Sequence, residues 1–274
     1  MATQHRHINL TKTGIVAIVA FGLTVFSALN PVFATNIAGS LLGGILPALF
    51  WLWFWLHEDH VHPEPKRIIF SAFFLGMVSV PLAILLEKIY IGMQYPGTAD
   101  VNAIAALTIF DLLVWAMIEE FLKYGMAFLA AFQGDYFDEP IDAVMYMISV
   151  ALGFAALENA LFIWSALDSG AISEGLLTGQ LRFIGASLLH VASSALIGFG
   201  IGFGLCKHHF KKAWYLSLGL ASSFALHTVF NYLIIISDKD HLLEVFALLW
   251  IVMILIIFLF ERIKRSPCYR PSVQ

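Results

Sequence analysis

Residues 142–167 read DAVMYMISVALGFAALENALFIWSAL, an apolar run of 26 residues in which Asp142 and Glu158 are the only charges. As a helix it would rise about 39 Å at 1.5 Å per residue, enough to cross a hydrocarbon core of roughly 30 Å. A carboxylate inside such a span costs about 2.5–3.5 kcal/mol on insertion scales. The stretch therefore predicts a membrane helix that carries a functional group at depth.

Outward from it lie further apolar blocks of about 20 residues or more. They predict helices over 14–34, 37–56, 68–93, 104–132, 182–205, 213–236 and 242–262. The expected fold is all-α and polytopic, with about eight transmembrane helices in a single domain over 14–262. Cytosolic tails over 1–13 and 263–274 flank it. Breakers separate the blocks at Asn30-Pro31, His57 to Pro65, Tyr95-Pro96-Gly97, Gln133-Gly134-Asp135 and Asp168-Ser169-Gly170. Composition agrees: 60% of residues are hydrophobic and 12% charged, against roughly 25% charged in a soluble domain. No soluble second domain and no fixed-period repeat is visible. With a net charge of −4 and basic residues confined to short loops and tails, nothing supports nucleic-acid binding. The two cysteines, Cys206 and Cys268, offer no disulfide framework and are expected as free thiols.

Sidedness follows from the 15 Lys and Arg residues. Arg6, Lys12, Lys66, Arg67, Lys207, Lys211, Lys212, Arg262, Lys264, Arg265 and Arg270 fall on one side; Arg182 and Lys239 fall on the other. Lys88 and Lys123 lie within helices. The bias places both termini in the cytosol, as an even number of crossings requires. Val32-Phe33-Ala34 resembles a signal-peptide cleavage context, but the charge bias favours a retained first span.

Ionisable residues concentrate in the fourth to seventh predicted helices. The fourth holds Asp111, Glu119, Glu120 and Lys123, the fifth Glu158 with Asn159, the sixth His190, and the seventh His227 with Asn231. Counted along each helix at about 1.5 Å per residue, His190, His227 and Glu158 reach one level, somewhat above the middle of the membrane. Glu119 and Lys123 are i,i+4 neighbours that can pair, while Glu120 points about 100° away around the helix. Taken singly, each group has a structural explanation. Glu119 with Lys123 could be a buried ion pair, Asp111 a structural group, and either histidine a bridge between helices. Together, on four consecutive helices, they favour a site. The His57–His62 stretch and His208-His209 read as solvated loops, and Gly198, Gly200, Gly202 and Gly204 as a close helix contact.

Intramembrane peptide cleavage needs a water, a base and an oxyanion stabiliser. The chain has no His-Glu-x-x-His, no Gly-x-Ser-Gly and no Gly-x-Gly-Asp. What remains is chemistry by Glu and His dispersed over several helices. An ion- or proton-coupled transporter could use the same groups, although no inverted repeat is visible. A receptor or chaperone with a purely structural polar network is the third alternative.

Four segments resemble the PrsW intramembrane proteases, relatives of the CAAX-processing and bacteriocin-processing enzymes. They are Glu119-Glu120-x-x-Lys123, Phe154-x-x-x-Glu158-Asn159, His190 before its Gly-rich stretch, and His227-x-x-x-Asn231. The resemblance covers about residues 111–231, with Asp138-Glu139-Pro140-Ile141-Asp142 leading into it. It implies an intramembrane peptidase in the cell membrane, the bacterial inner membrane, acting on a single-pass membrane protein such as an anti-sigma factor by site-one cleavage on the extracytoplasmic side. Two mechanisms stay open. In one, Glu158, His190 and His227 bind Zn2+ and Glu119 or Glu120 is the base, the version favoured by the ligand types. In the other, Glu119 or Glu120 activates water with His190 while His227 and Asn231 stabilise the oxyanion.

Overall fold

A computed structural model describes residues 31–59, 63–96, 107–170, 172–237 and 241–266. Among these, all regular structure is helical. We label the helices α1 (Pro31–Glu58), α2 (Lys66–Gln94), α3 (Ile109–Ala127), α4 (Pro140–Asp168), α5 (Ile172–Ile184), α6 (Ala186–Gly204), α7 (His209–Ile236) and α8 (Leu242–Lys264). The predicted span over 14–34 lies almost wholly outside the described residues, as do the termini used in the sidedness argument. Among the described residues, six helical segments are long and apolar enough to cross a membrane. The α3 helix is missing from that set; it carries Asp111, Glu119, Glu120 and Lys123 within 19 residues.

Helix α4 is the axis of the fold, with 94% of its most apolar 18-residue window buried. Helices α1, α2, α5 and α6 pack directly on it, and α3, α7 and α8 complete the bundle. Close crossings depend on missing side chains: a Cβ on Gly153 would stand 1.8 Å from the Phe73 carbonyl oxygen, and one on Gly76 would stand 2.0 Å from that of Val150. These two glycines let α2 and α4 touch backbone to backbone. The outer faces are apolar, with Leu248, Ile251, Ile254 and Phe258 of α8 among the exposed side chains. That pattern suits lipid as the surrounding solvent.

Several boundaries differ from the sequence expectation. The predicted helix over 182–205 is two elements: α5 begins at Ile172, and the chain breaks at Gly185 before α6. The ring of Phe246 would lie 2.4 Å from a Cβ at Gly185, so α8 packs into the break. Helix α3 starts at Ile109, where Thr108 and Asp111 form a capping box. Its last turn, Phe128–Phe132, is π-helical. Tyr90 and Tyr95 also donate to Asp111, at 2.6 and 2.8 Å, which gives that buried carboxylate the structural role expected for it. Cys206 is disulfide-bonded, not the expected free thiol. Its turn follows Gly202, which packs on Ile263 near the end of α8; Cys268 lies outside the described residues.

Helix ends also pack against one another. Gly202, near the end of α6, packs on Pro140 at the start of α4, and Lys264 at the end of α8 reaches Glu58 at the end of α1, 3.9 Å away.

Candidate active site

Helix α3 presents Glu119, Glu120 and Lys123 toward α6 and α7, and all three are buried. The three-residue and four-residue spacings bring both carboxylates onto the single ammonium. Lys123 Nζ donates to Glu120 Oε1 at 2.8 Å and to Glu119 Oε2 at 3.3 Å. It also lies 4.2 Å from the centre of the Phe154 ring, a cation–π contact from α4.

Glu120 is fully buried and accepts from three further side chains. Ser193 Oγ reaches Oε1 at 2.9 Å, Ser194 Oγ reaches Oε2 at 2.8 Å, and His227 Nδ1 lies 3.0 Å from Oε1. The sequence turned Glu120 away from the Glu119–Lys123 pair. The structure shows Lys123 holding both, Glu120 locked in the interior and Glu119 on the wall of a cavity. A buried carboxylate that accepts from four side chains organises its neighbours.

The histidines converge as the depth count expected, with ring centres 5.4 Å apart. Their hydrogen bonds fix their tautomers. Ionised Glu120 can only accept, so His227 carries its proton on Nδ1 and keeps a lone pair on Nε2, 3.7 Å from Glu119 Oε2. His190 Nδ1 lies 2.9 Å from Lys123 Nζ and 3.8 Å from Glu119 Oε2, while its Nε2 lies 2.9 Å from Glu158 Oε2. With the ammonium donating at Nδ1, the His190 proton sits on Nε2 and goes to Glu158.

Glu158 is oriented from a second direction. Arg182 of α5 donates to it through a short contact, and its Nε donates to Asn159 Oδ1 at 2.6 Å. Asn159 Nδ2 in turn donates to Ser187 Oγ at 2.9 Å. The sequence used Arg182 only as a marker of the outer membrane end; the structure makes it the partner of two motif residues.

These groups border a cavity of about 560 Å3 whose lining includes Glu119, Glu158, Arg182, His190, His227 and Asn231. Asn231 therefore shares the wall with His227, one turn along α7. The other wall belongs to α2 and α3 and includes Glu87 and Trp115, which the sequence reading passed over. Glu87 had a signal, being a carboxylate inside an apolar span. Ser193 and Ser194 had none, because small residues in a membrane helix ordinarily serve packing.

The donor set also bears on a metal. Glu119, His190 and His227 each offer one ligand atom, and these atoms all lie within 4.8 Å of one another. Glu158, the expected carboxylate ligand, is not in that group; it hydrogen-bonds the far nitrogen of His190. One carboxylate and two imidazoles suit a catalytic zinc, and each ring has a carboxylate behind it of the kind that orients metal ligands; the His190 nitrogen left for an ion, Nδ1, is the one the Lys123 ammonium contacts, so binding there requires Lys123 to turn aside.

The profile of the family described as "PrsW family intramembrane metalloprotease" matches residues 64–260. The chain belongs to this family. Among curated relatives, the Protease PrsW of Geobacillus kaustophilus is 29% identical over 200 residues, covering 72% of this chain and 80% of the relative. Protease PrsW of Bacillus subtilis is 30% identical over 199 residues, covering 70% and 80%, and that of Shouchella clausii is 28% identical over 221 residues, covering 78% and 93%. No solved structure matches the chain. As a PrsW-family intramembrane protease the chain is an enzyme, which sets aside the transporter and receptor alternatives. The profile match spans α2 to most of α8, so it includes the whole polar cluster.

Proposed function

We propose that this enzyme hydrolyses a peptide bond in or near the transmembrane segment of a single-pass membrane protein, with Zn2+ held by Glu119, His190 and His227. The observation that carries this reading is the convergence of those three side chains from α3, α6 and α7 on one cavity wall. It retains both expected histidines and exchanges Glu158 for Glu119. When bound, the ion supplies Lewis-acid polarisation of the scissile carbonyl.

The chain's own residues do the rest. Glu158 faces the cavity with an oxygen held by Arg182 and His190. It accepts a proton from the attacking water as the water oxygen bonds to the carbonyl carbon, then returns that proton to the amide nitrogen as the C–N bond breaks. Asn231 donates an amide N–H to the carbonyl oxygen as charge develops there. Glu120 fixes His227, and Lys123 holds Glu119 and Glu120 together.

One observation favours a second reading. Lys123 Nζ already stands between Glu119 and His190, at 3.3 and 2.9 Å, as a cation supplied by the chain itself. In that metal-free version Glu119 activates the water and the Asn231 amide donates to the oxyanion, since His227 keeps a lone pair, not a proton, on Nε2. The charge bias supports a cytosolic placement of both termini and cleavage near the extracytoplasmic face, and the family resemblance supports an anti-sigma factor as substrate in a bacterial cytoplasmic membrane.

The test is cleavage of a tagged single-pass protein by the purified enzyme in proteoliposomes, with and without a chelator. Loss of cleavage on chelation, restored by zinc, supports the first reading. Undiminished cleavage by zinc-free protein moves the chemistry to Glu119 alone, and absence of any cleavage contradicts both.

A further inference from the structure

Glu87 is the one carboxylate on the cavity wall with neither a hydrogen bond nor an ion pair among the described residues. Its charged neighbours are Glu119, Glu158 and Lys123, and each of these is engaged elsewhere. Glu158 is held by Arg182, and Lys123 divides its ammonium between Glu119 and Glu120. Nor does Glu87 belong to the Glu119–His190–His227 group, so an ion placed there would leave it unpartnered. An ionisable side chain in a membrane helix is expensive and marks function unless paired.

The surroundings of Glu87 define what it would take. Ile84 and Glu87 are i,i+3 on α2, and Leu112, Trp115 and Glu119 are i, i+3 and i+7 on α3; both sets line the same cavity. Trp115 Nε1 is buried without a partner, and an indole N–H can only donate. This wall is a mainly aliphatic and aromatic surface that holds one unpaired acceptor and one unpaired donor. A long basic side chain is its complement. The methylene stem packs on Ile84, Leu112 and the indole, the cationic head reaches Glu87, and the tryptophan N–H is left for a backbone carbonyl of the same peptide. Lys and Arg are also the side chains that membrane helices carry near their ends, where the stem stays in the apolar layer.

Resting on the peptidase reading above, we infer that Glu87 and Trp115 form a specificity subsite for a Lys or Arg side chain of the substrate within a few residues of the scissile bond. The subsite sits seven residues before Gln94, the last residue of α2, about 10 Å along the helix.

The experiment uses the full chain in proteoliposomes and a single-pass test substrate in which each position within five residues of the cut is in turn Lys, Leu or Glu. Wild-type enzyme is expected to prefer Lys over Leu at one position by about tenfold in kcat/KM, the ratio set by one charge-assisted hydrogen bond. In Glu87→Gln that ratio falls to about one, and in Glu87→Lys the preference moves to the Glu substrate. Trp115→Ala weakens the Lys preference, and melting in detergent checks that each variant is folded. A Lys preference that survives Glu87→Gln overturns the subsite. So does loss of cleavage of every substrate in a folded Glu87→Gln variant, which would place Glu87 in the chemistry. If wild-type enzyme cuts none of the substrates, the peptidase reading itself fails, and the subsite with it.

Discussion

His227 Nδ1 lies 3.0 Å from Glu120 Oε1, and this contact decides which face of the imidazole is left for the cavity. Because Glu120 also accepts from Lys123, Ser193 and Ser194, one buried carboxylate ties α3 to both α6 and α7. Of the two consecutive glutamates, Glu120 is enclosed by donors and Glu119 faces the cavity.

Glu120→Gln is therefore expected to lower activity by about 10–100-fold, the usual loss when a ligand's supporting carboxylate is altered. Glu120→Ala, which leaves Lys123 buried with half its neutralising charge, should destabilise the fold by about 3–5 kcal/mol. Cleavage rates and detergent melting curves measure the two effects separately. An active, fully stable Glu120→Ala protein would remove the organising role assigned here.

Lys123 is fully buried beneath Phe154. Lys123→Met should lose stability by about 3–5 kcal/mol, because two carboxylates then face each other without a cation. Lys123→Arg should not rescue it, since a planar guanidinium does not fit a space shaped for an ammonium. Melting temperatures of both variants check this.

Much of this cluster was legible in the sequence. Spans showed as apolar blocks, and counting residues from the helix ends put His190 and His227 at one depth; their rings are 5.4 Å apart. What was not legible depends on pairing between helices. Arg182 lies near the end of α5, a 13-residue helix of which the predicted span over 182–205 took in only the last three residues, and its reach to Glu158 and Asn159 appears only once α5 packs against α4. Likewise, α-helical spacing alone separates Glu119 from Glu120 by 100°, but a flexible lysine stem reaches both. The carboxylate chosen from sequence as the metal ligand, Glu158, stands on the far side of the His190 ring from Glu119, a matter of ring orientation that no spacing encodes.

The α2–α4 crossing gives a packing prediction. Gly153→Ala forces a Cβ into the Phe73 backbone and should cost about 1–3 kcal/mol, with a loss of activity because Phe154 and Glu158 follow on the same helix. Gly92→Ala, where a Cβ meets nothing within 4 Å, is the control and should be neutral or stabilising by up to about 1 kcal/mol. Equal melting temperatures for the two variants would contradict the crossing.

Between α1 and α2, outside the spans, burial raises the carboxyl of Glu64 above its ordinary 4.5, against hydrogen bonds with Asp142 and Tyr146. The folded state then binds more protons than the unfolded chain above pH 4.5, so stability should fall as pH rises from there through the raised value and level off beyond it. Glu64→Gln should flatten that decline. Melting against pH for both proteins tests it, and parallel curves would contradict it.

The central claim is that Glu119, His190 and His227 form the metal site while Glu158 does not, and it is tested most directly by zinc content per chain of detergent-purified wild-type, Glu119→Gln, His190→Ala, His227→Ala and Glu158→Gln proteins. The account predicts one zinc in the wild type, its loss in the first three variants, and its retention in Glu158→Gln with cleavage abolished. Zinc lost in Glu158→Gln but kept in Glu119→Gln, or a zinc-free wild type that cleaves at full rate, would contradict it.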